Sequence, residues 1–227
     1  MKVAIIAAME PEVAYYLEQL TITAHKQVAQ VEWWEAEYKN HHLLITQAGI
    51  GKVNAAIAAT IMSLEKPDLI INSGSAGAIH PDREIGDVVV SDGAVYHDAD
   101  ATAFGYEVGQ IPQMPFVYPS AQEWSDKLLR IYEAKGYQAV SGLVLTADQF
   151  VADTQKVEQL AEQFPEAQCT EMEGAAIAQV AYQFNRPCLI VRAISDTAQM
   201  DAAVLFDEFI EKAGKISGEA TLELIKG

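Results

Sequence analysis

The sequence predicts an α/β protein with three layers, in which a mixed, mostly parallel central sheet is flanked by helices. Short apolar runs without alternation, such as 3–8 and 188–194, are typical of strands that are covered on both faces. They alternate with segments of helical spacing, such as 174–184, and this order favours helices on both sides of the sheet. The 227 residues contain neither a linker nor a repeat, so we expect one domain over residues 1–227.

The elements of the first half follow from local patterns. Pro11 fits the first turn of a helix that begins after the first strand. The partial alternation from Trp33 to Tyr38 indicates a strand with one wetter face. The predicted strands are 3–8, 31–38, 42–47, 69–72 and 86–91, a loop of small residues covers 73–78, and the predicted helices run to about residues 20 and 65.

The second half alternates more regularly between apolar strands and amphipathic helices. The segment 109–119 carries too many large apolar side chains for an exposed loop, so we expect it to be buried against another subunit. The predicted strands are 139–146, 167–171 and 188–194, and the predicted helices are 121–135, 153–164, 174–184, 202–210 and 217–225.

Composition narrows the class of partner. Thirty-two acidic and 15 basic residues give a net charge of -17, which repels nucleic acids and anionic membranes. Cys169 and Cys188 fall in predicted buried strands, which fits a reducing compartment. The apolar run 3–9 is too short for a membrane span, and Glu10 and Glu12 follow it in place of a signal-peptide cleavage site. We therefore expect a cytoplasmic protein that binds neither nucleic acid nor a membrane.

Acidic residues recur where predicted strands end. Glu12, Glu171, Glu173 and Asp196 occupy such positions, and Arg192 is a nearby cation. Each acid alone also fits an ordinary helix N-terminus or turn, but the carboxyl ends of strands in open α/β sheets are where ligands bind. No Ser or Cys nucleophile accompanies a His, so the set favours glycosyl transfer, in which a protein acid protonates the leaving group. The loops expected to form the pocket are 9–12, 49–51, 73–77, 150–151, 171–173 and 195–196.

Two other motifs favour structural roles. The glycines of 49–51 are not followed by the acidic residue that a dinucleotide-binding site needs at the end of the next strand. Lys52 is followed by Val53 instead of the Ser or Thr of a phosphate-binding loop. The glycines therefore favour close packing of strand and helix over NAD or ATP binding. His97, Asp98 and Asp100 suggest a metal, but no second cluster has ligand spacing, so a polar turn or subunit contact is favoured. We expect no cofactor and no metal.

Six motifs in one order resemble the 5′-methylthioadenosine/S-adenosylhomocysteine nucleosidases, a family with the purine nucleoside phosphorylase fold. Each motif alone is weak, but together they extend over nearly the whole chain. The motifs are 7–12 (AAMEPE), 49–55 (GIGKVNA), 72–77 (NSGSAG), 96–106 (YHDADATAFGY), 171–176 (EMEGAA) and 192–196 (RAISD).

This resemblance implies that water cleaves the bond between adenine and ribose in 5′-thio-substituted adenosines. Asp196 would protonate N7 of adenine, which requires a raised pKa. Glu12 would take a proton from the attacking water, with help from Ser75 and Arg192, and Glu173 would bind the ribose hydroxyls.

The resemblance also implies substrate contacts and a homodimer. The backbone of Met172 would join Glu173 at the ribose, Phe150 would stack on adenine, and the backbone of Val151 would hydrogen-bond it. Other implied pocket residues are Met9, Ile50, Gly77, Glu171, Ser195, Ala198 and Phe206, with Ala101, Phe104 and Pro112 contributed by the partner subunit.

Two alternatives stay open from the sequence. A nucleoside phosphorylase would use phosphate in place of water, but Glu10 and Glu12 in the first loop would repel that dianion, so hydrolysis is favoured. A regulatory domain that binds nucleotides without turning them over is the second alternative. The preferred 5′ substituent is not readable from these motifs.

Overall fold

The computed structural model describes residues 1–197 and 202–226, with side chains throughout these ranges except at 202–207. The strands are β1 (Lys2–Ala7), β2 (Ile22–Val28), β3 (Val31–Tyr38), β4 (His41–Gln47), β5 (Leu69–Ala78), β6 (Val88–Tyr96), β7 (Tyr118–Pro119), β8 (Ala139–Thr146), β9 (Ala167–Glu171) and β10 (Cys188–Asp196). The helices are α1 (Glu10–Gln19), α2 (Lys52–Leu64), α3 (Gln122–Ala134), α4 (Thr154–Gln163), α5 (Gly174–Gln183) and α6 (Ala202–Lys226).

The strands form one mixed sheet in the order β10-β6-β8-β9-β5-β1-β4-β3-β2, and β7 pairs with β6. A further pairing of β10 with β5 closes the first five strands of this order into a ring. Parallel pairings join β1 to β4 and β5, β5 to β10, and β8 to β6 and β9. The remaining pairings are antiparallel, among them the β2-β3-β4 meander. The predicted α/β class with a mixed sheet is confirmed, and the closure of the ring is additional.

Helices cover the sheet on two sides, which gives the predicted three layers. Ala-rich α2 and α5 pack on one face, where small side chains let the helices approach the strands closely. Helices α1, α3 and α6 bury Tyr16, Tyr132 and Ile216 against the other face. A smaller cluster lies under α4 around Leu160. None of the helices in the described ranges is both long and apolar enough to cross a membrane.

Strand β5 continues through the residues 73–78 that the sequence suggested were a loop. Residues 73–77 pair with β10, from Ser73 opposite Val191 to Gly77 opposite Asp196 across a bulge, and Ala78 pairs with Cys169 of β9. Small side chains are tolerated in this strand because it is buried and paired along its length. The prediction of a loop was therefore wrong, and the small residues lie in a strand that reaches the site.

Two further elements differ from the sequence-based expectation. Strand β2 was not predicted, because its residues 22–28 are largely polar and exposed and carry no clear apolar period. Helix α6 is continuous where two helices, 202–210 and 217–225, were predicted. Gly214 interrupts the apolar pattern there because a Cβ would lie 2.7 Å from the carbonyl oxygen of Pro11 in α1. This close contact packs α6 on the turn that carries Glu12.

The apolar segment 109–119 packs partly on its own chain. Ile111 and Met114 pack against the cluster under α2 and α5, and Phe116 and Val117 pack against the cluster under α4. These contacts account for part of the hydrophobicity that suggested burial against another subunit.

Candidate active site

A cavity of about 360 Å³ opens where β1, β5, β8, β9 and β10 end. Its volume is within the usual range for small-molecule sites, and its walls combine apolar groups with a few carboxylates and hydroxyls. The lining residues are Ala8, Met9, Glu12, Ile50, Ser75, Ala76, Gly77, Gln149, Phe150, Val151, Thr170, Glu171, Met172, Glu173, Ser195 and Asp196.

Glu12 is held rigidly between β1 and β5. It lies in the first turn of α1, and its side chain folds back so that Oε2 accepts the backbone N–H groups of Ala8 at 2.9 Å and Met9 at 3.1 Å. Its Oε1 accepts both the N–H of Ser75 at 2.9 Å and the Ser75 hydroxyl at 3.1 Å. Four donors therefore converge on this buried carboxylate and fix its position.

Arg192 lies behind the cavity wall and is only 2% exposed. Its Nη2 donates to the carboxylate of Glu171 and to the side-chain oxygen of Asn72. The described cavity lining does not include Arg192, and its expected role beside the water stays a prediction. A fully buried guanidinium requires a paired carboxylate, and Glu171 provides it.

Glu171 links this ion pair to helix α5. Its carboxylate accepts the hydroxyl of Thr146 and the backbone N–H groups of Glu173 at 3.0 Å and Gly174 at 2.7 Å. The Thr146 hydroxyl in turn accepts the N–H of Ala175 at 2.8 Å. These bonds satisfy the first N–H groups of α5, which otherwise have no partner within the helix.

Glu173 precedes α5 and faces the glycine turn before α2. Its Oε1 accepts the N–H of Gly51 at 2.8 Å. Burial, and next the negative charge of Glu171, raise the pKa of Glu173 to about 8, although Arg192 acts in the opposite direction. A substantial share of this side chain is therefore protonated near neutral pH.

Asp196 ends β10 beside a bulge in the pairing with β5. Its Oδ1 accepts the hydroxyl of Ser195 at 2.8 Å. Burial raises the pKa of Asp196, and the bond from Ser195 opposes this shift only in part. A carboxyl group with a raised pKa can hold a proton at neutral pH and donate it, whereas Glu12 is arranged as an acceptor.

The structure brings most of the predicted site residues together. It also adds residues that the sequence analysis did not identify. Ala8, Gln149 and Thr170 also line the cavity, and Asn72 and Thr146 hold the ion pair behind it. Thr146 ends a predicted strand, a position that could have been noticed, but polar residues at strand ends are common.

Several predicted residues lie elsewhere. Ala101, Phe104 and Pro112 do not line the cavity of the described chain, and Phe104 is 83% exposed in a 3-10 turn. Ala198 lies outside the described residues, as does the side chain of Phe206.

The residues that suggested a metal do not converge. Asp98 pairs with Lys52 at 2.6 Å, and Asp100 accepts the N–H and hydroxyl of Thr102. Over the two described ranges, no three His, Cys, Asp or Glu side chains are grouped as metal ligands. The prediction that the site uses no metal stays a prediction.

Fold and site together define a class, that of α/β proteins with buried carboxylates around a nucleoside-sized cavity at strand ends. The family model of the phosphorylase superfamily matches residues 2–226. A 5′-methylthioadenosine/S-adenosylhomocysteine nucleosidase of Staphylococcus aureus is 44% identical over 224 residues, which cover 98% of each chain. The chain therefore belongs to the phosphorylase superfamily and, within it, to the 5′-methylthioadenosine/S-adenosylhomocysteine nucleosidase family.

Solved structures agree with this assignment. The S-adenosylhomocysteine nucleosidase of Streptococcus pyogenes, in complex with 5-methylthiotubericidin, is 40% identical with a TM-score of 0.96, covering 100% of this chain and 96% of the other. The nucleosidase of Neisseria meningitidis, in complex with methylthio-immucillin-A, is 35% identical with a TM-score of 0.95, covering 99% and 98%.

The raised pKa of Glu173 predicts a pH-dependent stability. Between about pH 4.5 and pH 8 the folded state binds a proton that the unfolded state has released, so stability falls as pH rises through this window. Glu173→Gln keeps an acceptor for the N–H of Gly51 but cannot ionise. We expect it to raise Tm by about 2–4 °C or more at pH 8.5, which corresponds to roughly 1 kcal/mol in a chain of this size, and by less at pH 5.5.

Calorimetric scans at the two pH values would measure this difference. Glu158→Gln, at an exposed glutamate on α4, is the matched control and should shift Tm equally little at both. A Glu173→Gln shift that is the same at pH 5.5 and 8.5 would contradict the proposed protonation.

Proposed function

We propose that this chain hydrolyses the N-glycosidic bond of 5′-methylthioadenosine and S-adenosylhomocysteine and releases adenine and the corresponding thioribose. Membership of the family supports the reaction, as do the names of the relatives. The observation that carries it is the pairing, in one cavity, of an acid with a raised pKa, Asp196, and a carboxylate fixed by four donors, Glu12.

The proposed reaction begins with protonation of the leaving group. Protonated Asp196 gives its proton to N7 of adenine, and the bond from N9 to the ribose carbon C1′ breaks with its electron pair on the purine. Positive charge develops on the sugar ring, where the nearby carboxylate of Glu12 stabilises it. Water adds to C1′, Glu12 accepts one of its protons, and the free thioribose results.

The remaining proposed roles concern binding. Glu173 and the backbone of Met172 hold the ribose hydroxyls, and Phe150 and the backbone of Val151 hold the adenine. Met9 and Ile50 face the 5′ sulfur substituent. These assignments rest on the family resemblance and are supported by the common cavity that all six residues line.

The composition of the cavity wall favours water over phosphate as the acceptor. None of the described residues that line the cavity is a lysine or arginine, and Arg192 already pairs with Glu171. A phosphate dianion beside Glu12 would meet repulsion without a compensating cation. A phosphorylase is therefore the weaker alternative.

We further propose that two copies of the chain form a cytoplasmic homodimer through the outer face of α2, with each chain acting as one nucleosidase domain. Val53 and Leu64 on α2 are 70% and 65% exposed, and Ile57 lies on the same helix. An apolar surface of this kind is typical of a subunit contact. The partner subunit would then contribute Ala101, Phe104 and Pro112 to the 5′ end of the pocket.

Substitution of either proposed catalytic residue tests the mechanism. We expect Asp196→Asn and Glu12→Gln each to lower kcat for adenine release by about a hundred- to ten-thousand-fold, since each removes a proton transfer. Adenine can be quantified by chromatography, with circular dichroism to verify folding. Glu10→Gln, on an exposed side chain in the same turn, is the control and should keep normal turnover. Near-normal kcat in either of the first two variants would refute the assigned roles.

Product analysis separates hydrolysis from phosphorolysis. With 5′-methylthioadenosine, we expect free methylthioribose as the sugar product and an adenine-release rate that added phosphate does not change. Chromatography of the products with and without phosphate makes the measurement. A sugar phosphate would support the phosphorylase alternative, and tight binding of an adenosine analogue without any turnover would support the regulatory domain.

The dimer predicts a linked change in mass and substrate affinity. We expect the double variant Val53→Glu, Ile57→Glu to be monomeric in light scattering, because burying two carboxylates in the apolar contact is costly. We also expect its KM to rise, because the partner's residues no longer reach the pocket. Val28→Glu, at an exposed apolar residue of β2, is the control. A wild-type chain that is monomeric at micromolar concentration would rule out the proposed dimer.

A further inference from the structure

Three charged residues join three loops at the start of α2. Asp148 accepts the backbone N–H of Lys52 at 2.8 Å, and the Lys52 ammonium lies 2.6 Å from Asp98 and 3.7 Å from Asp148. The backbone N–H of Asp148 also donates to Asp98, at 3.2 Å. We call these residues the Asp98–Lys52–Asp148 cluster, and the mechanism above uses none of them.

Asp148 provides a cap that helix α2 lacks within its own sequence. The N-cap residue of α2 is Gly51, which has no side chain to accept the first N–H groups of the helix. Two carboxylates from other loops accept them instead, Glu173 at the N–H of Gly51 and Asp148 at the N–H of Lys52. The N-terminus of a helix such as α2 favours carboxyl groups as hydrogen-bond acceptors.

This cap fixes one wall of the cavity relative to another. Asp148 directly precedes the loop 149–151, which lines the cavity. Lys52, which donates to Asp148, follows the turn before α2, where Ile50 lines the cavity from another side. The hydrogen bond from Lys52 therefore connects the loop 149–151 to the turn that also holds Glu173. Without this hydrogen bond, the loop 149–151 would be held less firmly against the N-terminus of α2.

We propose that Asp148 is a positioning residue that holds the loop 149–151 in the geometry that binds the purine. The inference rests on the proposed function, which assigns adenine to this loop. A loop that is held in its binding geometry before the ligand arrives requires less ordering when the ligand binds. The hydrogen bond to the helix N-terminus carries most of the effect, since Lys52 and Asp148 side chains are 25% and 50% exposed and their ion pair is weakened by solvent.

The proposal predicts a loss of affinity for adenine itself. We expect Asp148→Ala to raise the Kd for free adenine about tenfold in calorimetric titration, and to raise KM for 5′-methylthioadenosine by a similar factor. We expect kcat to change by less than about threefold, because Asp196 and Glu12 lie on other elements. Asp148→Asn keeps an acceptor for the N–H of Lys52 and should restore Kd to within about threefold of the wild-type value.

A second variant and a matched control isolate the positioning effect. Asp98→Ala removes the acceptor of the Asp148 N–H and should raise Kd about threefold while leaving the cap of α2 in place. Asp153→Ala is the control, because Asp153 caps α4 at the other end of the same connection by accepting the N–H of Gln155 at 2.9 Å. It should lower Tm and leave the Kd for adenine unchanged.

The outcomes separate this inference from the proposed function. Wild-type protein that binds no adenine would refute the proposed function and the inference with it. Wild-type protein that binds adenine, together with unchanged Kd in both Asp148→Ala and Asp98→Ala, would overturn the positioning role alone. A fall in kcat and Tm without a change in Kd or KM would overturn it as well.

Discussion

The buried ion pair between Arg192 and Glu171 is the constraint on which the site depends. A guanidinium with almost no solvent contact is tolerated only when it is paired and hydrogen-bonded, and Glu171 and Asn72 meet that requirement. The same Glu171 carboxylate holds the first N–H groups of α5 and thereby fixes the position of Glu173. One electrostatic requirement of the interior therefore determines where Glu173 lies.

Around this pair, the fold gives similar carboxyl groups different chemistry. Glu12 accepts four hydrogen bonds, whereas Asp196 receives one side-chain bond and has a pKa raised by burial. Carboxyl groups in such different surroundings can take different parts in proton transfer. The difference arises from backbone geometry, namely the first turn of α1 and the end of β10.

The sequence predicts the order of most elements and the loops that meet at the site, because apolar period and strand ends are local properties. It does not predict the pairing of β10 with β5, which closes the ring and turns 73–78 into a strand, since pairing partners are distant in the chain. Strand β2 was not predicted because its residues are polar. The burial of Arg192 was not predicted because it is decided by residues from β5 and β9.

The absence of lysine and arginine from the described cavity lining has a consequence for competition inside a cell. AMP and ATP share the adenosine moiety of the proposed substrates and carry a phosphate on the 5′ carbon. A polyanion of that kind would give up its hydration to enter an acidic recess that offers it no counter-charge. We therefore expect AMP and ATP to compete poorly for this cavity with adenosines that carry an uncharged or zwitterionic 5′ group.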